Sequence, residues 1–333
     1  MRPLLEVSDV KIEFSHSSGP STAVDGVTFD VHEGECVGIV GESGSGKSVT
    51  ARSVLRLLPS AGKMTSGRIA FEGEDVLGMS ELRLREFRGG DVGMVFQDPM
   101  SSLNPVIRVG PQIEEAMLYH SRYGGQEAKS RVVDLLARVQ VPDPRMRSRA
   151  YPHQLSGGMR QRVMIAMAYA NEPRLLIADE PTTALDVTVQ AQILRLLREL
   201  GREFGTAVIL ITHNLALVAD LCDRVVVMYA GRVVEQGPCR EVISNPQHPY
   251  TWALLETARQ MGAKGRKLFA IPGSPASAKD RIHGCRFHPR CAFAVDRCRD
   301  QEPPLIDLGG GREARCWVLM QNVSPDLTRG TPQ

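Results

Sequence analysis

A glycine-rich segment near the beginning of the chain has the spacing of a phosphate-binding loop. Residues 41–48 read Gly-Glu-Ser-Gly-Ser-Gly-Lys-Ser, which matches the pattern G-x-x-x-x-G-K-S. In such a loop successive backbone N–H groups point at an anion, while Lys47 would add charge for the β- and γ-phosphates and the Ser48 hydroxyl would ligate Mg²⁺. A strand pattern at 35–40 precedes the loop and a helical pattern at 48–58 follows it, so a helix N-terminus faces the phosphates. A glycine-rich turn with a chance lysine is the alternative, and the motifs that follow argue against it.

Polar residues that could complete a nucleotide-hydrolysing site come directly after predicted parallel strands. Asp179 ends an apolar strand and Glu180 is next. One carboxylate is therefore placed to hold Mg²⁺ through water, and the other to polarise the water that attacks the γ-phosphate. His213 and Gln97 follow neighbouring strands at the sheet edge where α/β proteins bind ligands. We expect His213 to sense or orient the γ-phosphate and Gln97 to reach Mg²⁺ and water; taken singly, each of these residues could instead cap a turn or end a strand.

Length and composition restrict the class of protein. With 333 residues, 42% of them hydrophobic, the chain can bury the core of one large domain with an appendage or of two domains. The net charge of +2 is far from the basic bias of a dedicated nucleic-acid binder. No apolar run is long enough for a membrane-spanning helix, and the N-terminus does not resemble a signal peptide. We therefore expect a cytosolic protein whose seven cysteines do not form structural disulfides.

Apolar runs alternate with helical patterns through the middle of the chain, which predicts an α/β protein with a parallel sheet. Strands are predicted at 5–14, 27–31, 36–40, 68–71, 92–96, 175–179, 207–212 and in two pieces over 224–236. Helices are predicted at 48–58, 112–119, 128–139, 159–170 and 187–200. The first strand alternates apolar and polar residues like an edge strand. Residues 261–283 are rich in Gly, Pro, Ser, Ala and Lys, which predicts a linker or long loop.

The order of these motifs resembles that of ATP-binding-cassette (ABC) nucleotide-binding subunits. Along the chain come the phosphate loop, Gln97, Leu-Ser-Gly-Gly-Met-Arg-Gln at 155–161, the segment 175–180, Ala-Leu-Asp at 184–186 and His213. The resemblance covers roughly residues 5–240. It implies a P-loop NTPase fold with a RecA-like parallel sheet, an antiparallel β subdomain and a helical signature subdomain at about 99–165. The predicted domains are residues 1–240 for the nucleotide-binding domain and 241–333 for a C-terminal extension.

The same resemblance implies a set of nucleotide-binding residues and a dimer. In this family the signature residues of one subunit contact the γ-phosphate held by the other, so Ser156, Gly157 and Gly158 are expected to act in trans. Asp186 would lie at the dimer seam, and Phe14 would stack on adenine or else be an ordinary strand-face aromatic. The remaining residues implied in nucleotide binding are those of the loop and first helical turn, namely Gly41, Ser43, Gly44, Ser45, Gly46, Lys47, Ser48 and Val49.

Three further segments resemble the oligopeptide and dipeptide import branch of this family. They are Phe-Gln-Asp-Pro-Met-Ser-Ser-Leu-Asn-Pro at 96–105, Tyr-Pro-His-Gln-Leu at 151–155 and Asn-Pro-Gln-His-Pro-Tyr-Thr at 245–251. Residues 154–167 are similar to the D-type subunit of these importers. This implies a heterodimer with an F-type ATPase, two membrane permeases and an extracytoplasmic peptide-binding protein, at the cytoplasmic face of the membrane. A homodimer, a nickel or other small-solute importer, and a soluble ABC ATPase of repair or translation are the alternatives. An ATP-binding regulatory module without turnover is disfavoured by the intact Glu180 and His213.

Four cysteines are concentrated near the C-terminus. Cys285, Cys291, Cys298 and Cys316 contain no close C-x₂-C pair, so they do not form a zinc ribbon, although four thiolates could hold Zn²⁺ or an iron–sulfur cluster. Nearby arginines could offset the negative charge and donate to sulfur; they are Arg281, Arg286, Arg290, Arg297 and Arg299. Phe-His-Pro-Arg-Cys at 287–291 resembles the extension of peptide-transporter ATPases, which implies a [4Fe–4S] cluster. His288 is the substitute if Cys316 is not a ligand, and four unrelated thiols are the alternative.

The other cysteines have a different context. Cys36 and Cys222 lie in apolar strand and helix patterns, which predicts that both belong to the core. Cys239 follows Gly237-Pro238, which predicts a thiol in a loop.

Overall fold

In the computed structural model of the protein, the described residues are 2–17, 19–98, 102–120, 123–182, 185–260, 270–276, 280 and 282–320. Pro99, Met100, Ser101, Ala184 and Arg281, which belong to motifs quoted above, and most of the predicted linker lie outside them. The chain forms two compact units. Unit 1 comprises Met1–Leu4, Val31–Cys36 and Glu72–Ile211, and unit 2 comprises Leu5–Asp30, Val37–Phe71 and Thr212–Gln333. The predicted domain boundary at residue 240 stays a prediction.

Unit 1 is built on parallel strands that are buried on both faces. They are β6 (Val92–Val95), β7 (Leu175–Asp179) and β8 (Ala207–Thr212), in the spatial order β8-β7-β6. Every residue of β7 and β8 is buried. That explains why these strands have continuous apolar sequences without alternation, as expected for a parallel sheet covered on both sides. The register pairs Asp179 at the end of β7 with Ile211 of β8.

Unit 1 also contains helices. Their bounds are Glu81–Glu86 (α2), Val109–Tyr119 (α3), Gly125–Arg138 (α4), Pro144–Arg147 (α5), Gly157–Ala168 (α6) and Val187–Phe204 (α7). The unit also contains the two-residue strand β5 (Glu74–Asp75). Helices α3 to α6 occupy the stretch where the helical signature subdomain was predicted. Gln112 is buried in α3 and its side-chain amide hydrogen-bonds to Asn104 and Ile107, which fixes residues 104–107 against α3.

Unit 2 contains an antiparallel sheet of long strands. They are β1 (Leu5–Phe14), β2 (Ser21–Val31) and β4 (Gly62–Phe71), in the order β2-β1-β4. The expectation that the first strand lies at an edge is wrong, because β1 has a neighbour on each side. Its alternating pattern reports burial of one face, and a central strand of a one-sided antiparallel sheet has the same pattern.

A second sheet region of unit 2 carries the phosphate loop at the end of a parallel strand. The strands are β3 (Cys36–Val40), β9 (Arg224–Tyr229), β10 (Arg232–Pro238), β11 (Ile306–Gly309) and β12 (Arg312–Ala314), in the order β11-β12-β10-β9-β3. β3 is parallel to β9, and β9 turns into β10 at Ala230-Gly231 as predicted. β12 pairs with β10 by placing Ala314 opposite Glu235, so the C-terminal extension adds strands to this sheet.

The helices of unit 2 include elements of the extension. They are Lys47–Val54 (α1), Leu215–Leu221 (α8), Cys239–Ser244 (α9), Pro249–Gln260 (α10) and Arg297–Asp300 (α11). Cys239 is not a loop thiol as predicted, because it begins α9, is 2% exposed and directs Sγ at the Val218 carbonyl. Cys36 and Cys222 are buried, as predicted. Of the helices in the described parts of the chain, none combines the length and apolarity that crossing a bilayer requires.

The start of α10 is held by a buried carboxylate of β10. Glu235 is 1% exposed and accepts hydrogen bonds from the backbone N–H groups of Gln247 at 2.7 Å and His248 at 2.9 Å. Burial outweighs these bonds and raises the pKa of Glu235. His248 is also buried, and its Nδ1 accepts from the backbone N–H of Tyr250 at 3.0 Å. This imidazole is therefore neutral with its proton on Nε2, and burial, with a smaller contribution from Arg315, lowers the pKa of His248 to about 3.

We predict that His248 makes folding stability depend on pH. Because the pKa of His248 falls from 6.5 in the unfolded chain to about 3 in the folded state, its contribution is complete above about pH 6.5 and is lost as the pH falls toward 3. In His248→Asn the amide oxygen can still accept from Tyr250, but nothing titrates. Urea unfolding measures the free energy of unfolding at about pH 7.5 and at about pH 5.5. Between these two values it should fall by about 1.4 kcal/mol more for the native chain than for the variant. The exposed His153, changed to Asn, is the control and should leave the pH dependence unchanged; equal losses in His248→Asn and the native chain would contradict the assignment.

Candidate active site

The phosphate loop connects β3 to α1, and the strands beside it dictate where glycine is required. A Cβ atom on Gly41 would lie 2.2 Å from the carbonyl oxygen of Met228 in β9. One on Gly46 would lie 2.7 Å from the carbonyl oxygen of Ala23 in β2, and this glycine has a left-handed backbone with φ of 100°. No side chain fits at either position. The strands therefore hold the loop in the form that turns its N–H groups inward.

Lys47 lies inside this loop. Its side chain is 4% exposed, and Nζ donates to the carbonyl oxygens of Gly41 and Glu42, both at 2.8 Å, and to Ser45 Oγ at 3.4 Å. A buried ammonium needs such acceptors, and phosphate oxygens can replace them when a nucleotide binds. Ser43 and Gly44 at the tip of the loop are exposed, so the loop is open to a ligand.

The first turn of α1 holds the other predicted loop residues. Ser48 and Val49 are half-buried there, behind the glycine that begins the helix. A hydroxyl in this position is at a helix N-terminus, where an anion is favoured.

In unit 1 the structure brings together two of the predicted hydrolytic residues. Gln97, just beyond β6, donates from Nε2 to Glu180 Oε2 at 3.4 Å. Glu180 follows β7 with a left-handed φ of 45°, and its backbone N–H donates to the carbonyl oxygen of Ile211 at 3.1 Å. Such a conformation is unfavourable for a residue with a side chain and is found where the surroundings impose it. Here it turns the carboxylate away from the strand and toward the amide of Gln97.

The remaining polar groups of the strand ends are placed as follows. Asp179 is fully buried at the end of β7, and His213 follows β8 and is exposed. Ser48 belongs to unit 2, whereas Gln97 and Asp179 belong to unit 1. Their hydroxyl, amide and carboxylate oxygens are ligands that Mg²⁺ prefers, so the donor set fits the metal. Their joint coordination of Mg²⁺ stays a prediction, as does the action of His213 on the γ-phosphate.

The predicted signature residues form the N-terminus of α6. Ser156 is the exposed N-cap, and its Oγ accepts from the N–H of Met159 at 3.3 Å. Gly157 and Gly158 lie against the start of α7, since added Cβ atoms would stand 3.5 Å from Leu185 Cδ2 and 3.0 Å from Val189 Cγ1. Asp186 caps α7 by accepting from the N–H of Val189 at 2.9 Å. Two helix N-termini therefore lie side by side, and both favour negative charge.

Phe14 ends β1 and is half-buried. It pairs with Gly62 of β4, and a Cβ on Gly62 would lie 2.8 Å from the Phe14 ring, so the ring lies across the glycine. This contact explains the position of Phe14 without a ligand, and its stacking on adenine stays a prediction.

Two residues of the extension contact the phosphate loop, and sequence reasoning missed both. Arg290 donates to both oxygens of the Glu42 carboxylate, from Nη1 to Oε2 at 2.6 Å and from Nη2 to Oε1 at 3.1 Å. The backbone N–H of Glu42 donates to the hydroxyl of Tyr250 at 2.8 Å. Tyr250 was noted only as part of the segment 245–251, and Arg290 only as a charge near the cysteines. No local signal links them to Glu42, because these contacts join positions more than two hundred residues apart.

The four cysteines of the extension are near one another and poorly exposed. Cys285 N donates to the carbonyl oxygen of Cys298 at 2.8 Å, and the N–H of Val318 points at Cys316 Sγ at 3.3 Å. Burial, together with the charges of Cys285 and Cys298, raises the pKa of Cys291 to about 12, and burial also raises the pKa of Cys285 and Cys316. Among the described residues, however, no three His, Cys, Asp or Glu side chains are arranged to hold a metal ion.

Two arginines of this segment have partners other than the cysteine sulfurs. Arg286 donates to the Ala230 carbonyl and pairs with Asp25, which Arg232 also contacts at 2.8 Å. Burial alone would raise the pKa of Asp25, but the two guanidinium groups outweigh it and lower that pKa. Arg297 stacks over the ring of Trp317 at 3.5 Å. Arg286 and Arg297 are thus engaged with a carboxylate, a carbonyl and an aromatic ring, while Arg281 lies outside the described residues.

The fold and these residues define an ATPase of the P-loop class, and comparison with known proteins gives the same class. Residues 24–183 match the family model described as ABC transporter, and residues 234–298 match the model described as the C-terminal region of oligopeptide/dipeptide transporters. A dimeric structure of the ATP-binding cassette MJ0796 in a post-hydrolysis state, bound to ADP and Pi, is 28% identical with a TM-score of 0.64, covering 71% of this chain and 99% of that one. The predicted fold class is confirmed.

Curated relatives align over nearly the whole length. The probable peptide ABC transporter ATP-binding protein y4tR of Sinorhizobium fredii is 50% identical over 94% of both chains. The dipeptide transport ATP-binding protein DppD of Escherichia coli is 48% identical over 96% of this chain and 98% of its own. The chain belongs to the family of ATP-binding subunits of oligopeptide and dipeptide ABC transporters, and it is an ATPase.

We predict that Glu180→Gln keeps ATP binding but lowers the rate of hydrolysis by about 10²–10⁴-fold, because the amide cannot accept a proton from water. Lys47→Ala should instead weaken nucleotide binding, since it removes the cation inside the loop. Phosphate release and calorimetric binding of ATP measure the two effects separately. Glu203→Gln, an exposed carboxylate of α7, is the matched control and should leave both unchanged. Near-normal turnover in Glu180→Gln would overturn the role of this carboxylate.

Proposed function

We propose that the chain is the ATP-hydrolysing subunit of an importer for dipeptides or oligopeptides. The observation that carries this proposal is the hydrogen bond between Gln97 and Glu180. Gln97 stands at the start of a segment whose Val106 is 78% and Ile107 37% exposed. Exposed apolar side chains of this kind can bind a partner protein. We propose a peptide as the cargo because the names of the relatives describe peptide or dipeptide transport.

In this proposal each residue has a defined part in hydrolysis. The loop amides and Lys47 bind the phosphates of ATP, and Glu180, oriented by Gln97, accepts a proton from the attacking water. Mg²⁺ would be held by Ser48, Gln97 and Asp179 and would neutralise phosphate charge. His213 would orient the γ-phosphate, and Phe14 would stack on adenine.

The signature helix is proposed to complete the site of a second subunit. Exposed Ser156 at the N-terminus of α6, beside the N-terminus of α7, presents amides that can bind the partner's γ-phosphate. Asp186 would then lie at the seam between the subunits. The dimeric state of the similar MJ0796 cassette supports a closed dimer. We propose an F-type ATPase as the partner, with a homodimer as the alternative, positioned against two permeases at the cytoplasmic face of the membrane. An extracytoplasmic peptide-binding protein would deliver the cargo to those permeases.

A glycine substitution tests both the dimer and the transport role. Gly157→Asp should still bind ATP, because the space near Gly157 in its own chain admits a Cβ, but its carboxylate would repel the partner's γ-phosphate. With the permeases in membrane vesicles, uptake of a labelled dipeptide should fall by at least about tenfold, the cost of one like-charge contact. Gly124→Asp is the control, because a Cβ there meets nothing within 4 Å. Normal uptake by Gly157→Asp would contradict the contact with the partner's nucleotide. ATP-driven uptake of nickel but not of peptide would show that the cargo is nickel.

We also propose that Cys285, Cys291, Cys298 and Cys316 hold a [4Fe–4S] cluster, with Zn²⁺ as the alternative. The donor chemistry supports this, because four thiols lie near one another and backbone N–H groups point at Sγ of Cys285, Cys291 and Cys316. Among the described residues no such side chains are arranged to hold a metal ion, so binding a cluster would require the cysteine side chains to turn toward a common centre. The group would supply cross-links between separate turns of the extension.

Metal analysis tests this proposal. Protein purified without oxygen should contain iron and acid-labile sulfide and absorb broadly near about 400 nm through sulfur-to-iron charge transfer. Cys298→Ser should lower the iron content, whereas Cys239→Ser, which lies in α9, should not. Stoichiometric zinc without iron would convert the site to a zinc site. Protein with no metal would remove the proposal.

A further inference from the structure

The segment that carries the first two tail cysteines packs on the strand that ends beside the phosphate loop. Tyr229 at the end of β9, Tyr250 of α10 and Phe287 form a buried aromatic cluster, with ring centroids 4.7, 5.2 and 5.3 Å apart. Fully buried aromatic contacts of this kind are rigid, because each ring is confined by the other two. The segment 285–291 is therefore fixed relative to the loop by its packing.

Arg290 extends from this cluster to the loop. Its side chain is 5% exposed, its guanidinium carbon lies 5.8 Å from the centroid of the Tyr229 ring, and Nε donates to the carbonyl oxygen of Pro272 at 2.8 Å. The two terminal nitrogens donate hydrogen bonds to the two oxygens of the Glu42 carboxylate. A buried guanidinium that makes a bidentate pair is a geometric constraint on its partner as well as a charge.

The same segment holds the loop at a second point. Arg286 donates to the carbonyl oxygen of Ala230, and the next residue, Gly231, donates its N–H to the carbonyl oxygen of Ser45 at 3.0 Å. Glu42 and Ser45 lie at the two ends of the loop tip, and Lys47 hydrogen-bonds to both. Of the arginines between Cys285 and Cys291, Arg290 thus contacts the phosphate loop directly, and Arg286 is linked to it only through Ala230 and Gly231.

We propose that Arg290 is a positioning residue for ATP binding, acting through Glu42, so that the C-terminal extension sets the nucleotide affinity of the phosphate loop. Two effects follow from the contact. The pair holds Glu42, whose carbonyl oxygen and N–H are engaged by Lys47 and Tyr250, in the shape that the loop needs. It also neutralises a carboxylate in the loop that would otherwise repel the phosphates. This inference does not depend on what the cysteines hold.

The test compares variants of the full chain by calorimetric binding of a non-hydrolysable ATP analogue and by steady-state hydrolysis. Arg290→Ala should raise the Kd for the analogue about tenfold, the effect of losing a charged hydrogen-bonded partner. KM for ATP should rise in parallel while kcat at saturating ATP stays within about twofold, because Gln97 and Glu180 are untouched. Arg290→Lys keeps the charge but not the fork, and should raise the Kd by about threefold.

Two further variants separate positioning from a general effect of the extension. In a Glu42→Gln background, Arg290→Ala should raise the Kd by less than it does alone, because the two residues act as one pair. Arg297→Ala removes an arginine of the same extension that stacks on Trp317 and donates to Gln301, and it should leave the Kd unchanged.

A folded Arg290→Ala protein with an unchanged Kd would overturn the proposal, as would equal weakening by Arg297→Ala or full additivity with Glu42→Gln. If Arg290→Ala does not fold, Arg290→Lys decides: an unchanged Kd overturns the proposal, and a raised Kd that the Glu42→Gln background diminishes supports it. A loss of kcat with an unchanged KM would also overturn it, since the residue would then act on hydrolysis and not on binding.

Discussion

The backbone shape of the phosphate loop is the constraint on which the nucleotide site depends. The carbonyl oxygens of Met228 and Ala23 stand where Cβ atoms of Gly41 and Gly46 would be, so the two strands that carry them determine the loop. A loop built in advance presents its amides to phosphate without first losing conformational entropy, and this raises affinity. Lys47, buried against the carbonyls of the loop, is positioned in the same way.

The extension belongs to the same system of supports. Glu235 of β10 holds the start of α10 through two backbone N–H groups, and α10 brings Tyr250 to the N–H of Glu42. The peptide-branch segment at 245–251 is thereby explained physically, because its buried His248 and Tyr250 connect a sheet strand to the phosphate loop. The segment that resembles this branch is, in this chain, part of the structure that supports the phosphate loop.

Much of the fold could be predicted, and the reasons are specific. Residues 175–179 and 207–212 are strands with the predicted bounds, because strands buried on both faces are short apolar runs with polar residues at their ends. The edge position of β1 was wrong, since alternation reports one-sided burial and not neighbours. The helix that begins at Cys239 is not predicted, because a Gly-Pro pair is typical of a loop, although Pro238 here occupies the N-cap position of α9.

The site shows the same division between local and distant information. Glycine spacing and strand ends identified the loop, Gln97 and Glu180, and the resemblance identified the signature. The pairing of Arg290 with Glu42 joins residues 248 positions apart, and no pattern in one sequence reports such a contact. By sequence, Arg286 and Arg290 lie beside the cysteines. In the structure their carboxylate partners are Asp25 and Glu42.

The central claim, that the phosphate loop is already formed before ATP binds, can be measured by hydrogen exchange of backbone amides in the nucleotide-free chain. The account predicts that the amide of Glu42, which donates to Tyr250, and that of Gly231, which donates to Ser45, exchange slowly and that ATP slows them little further. Exchange of both amides at the rate of an unstructured peptide, with protection appearing only after ATP is added, would contradict it.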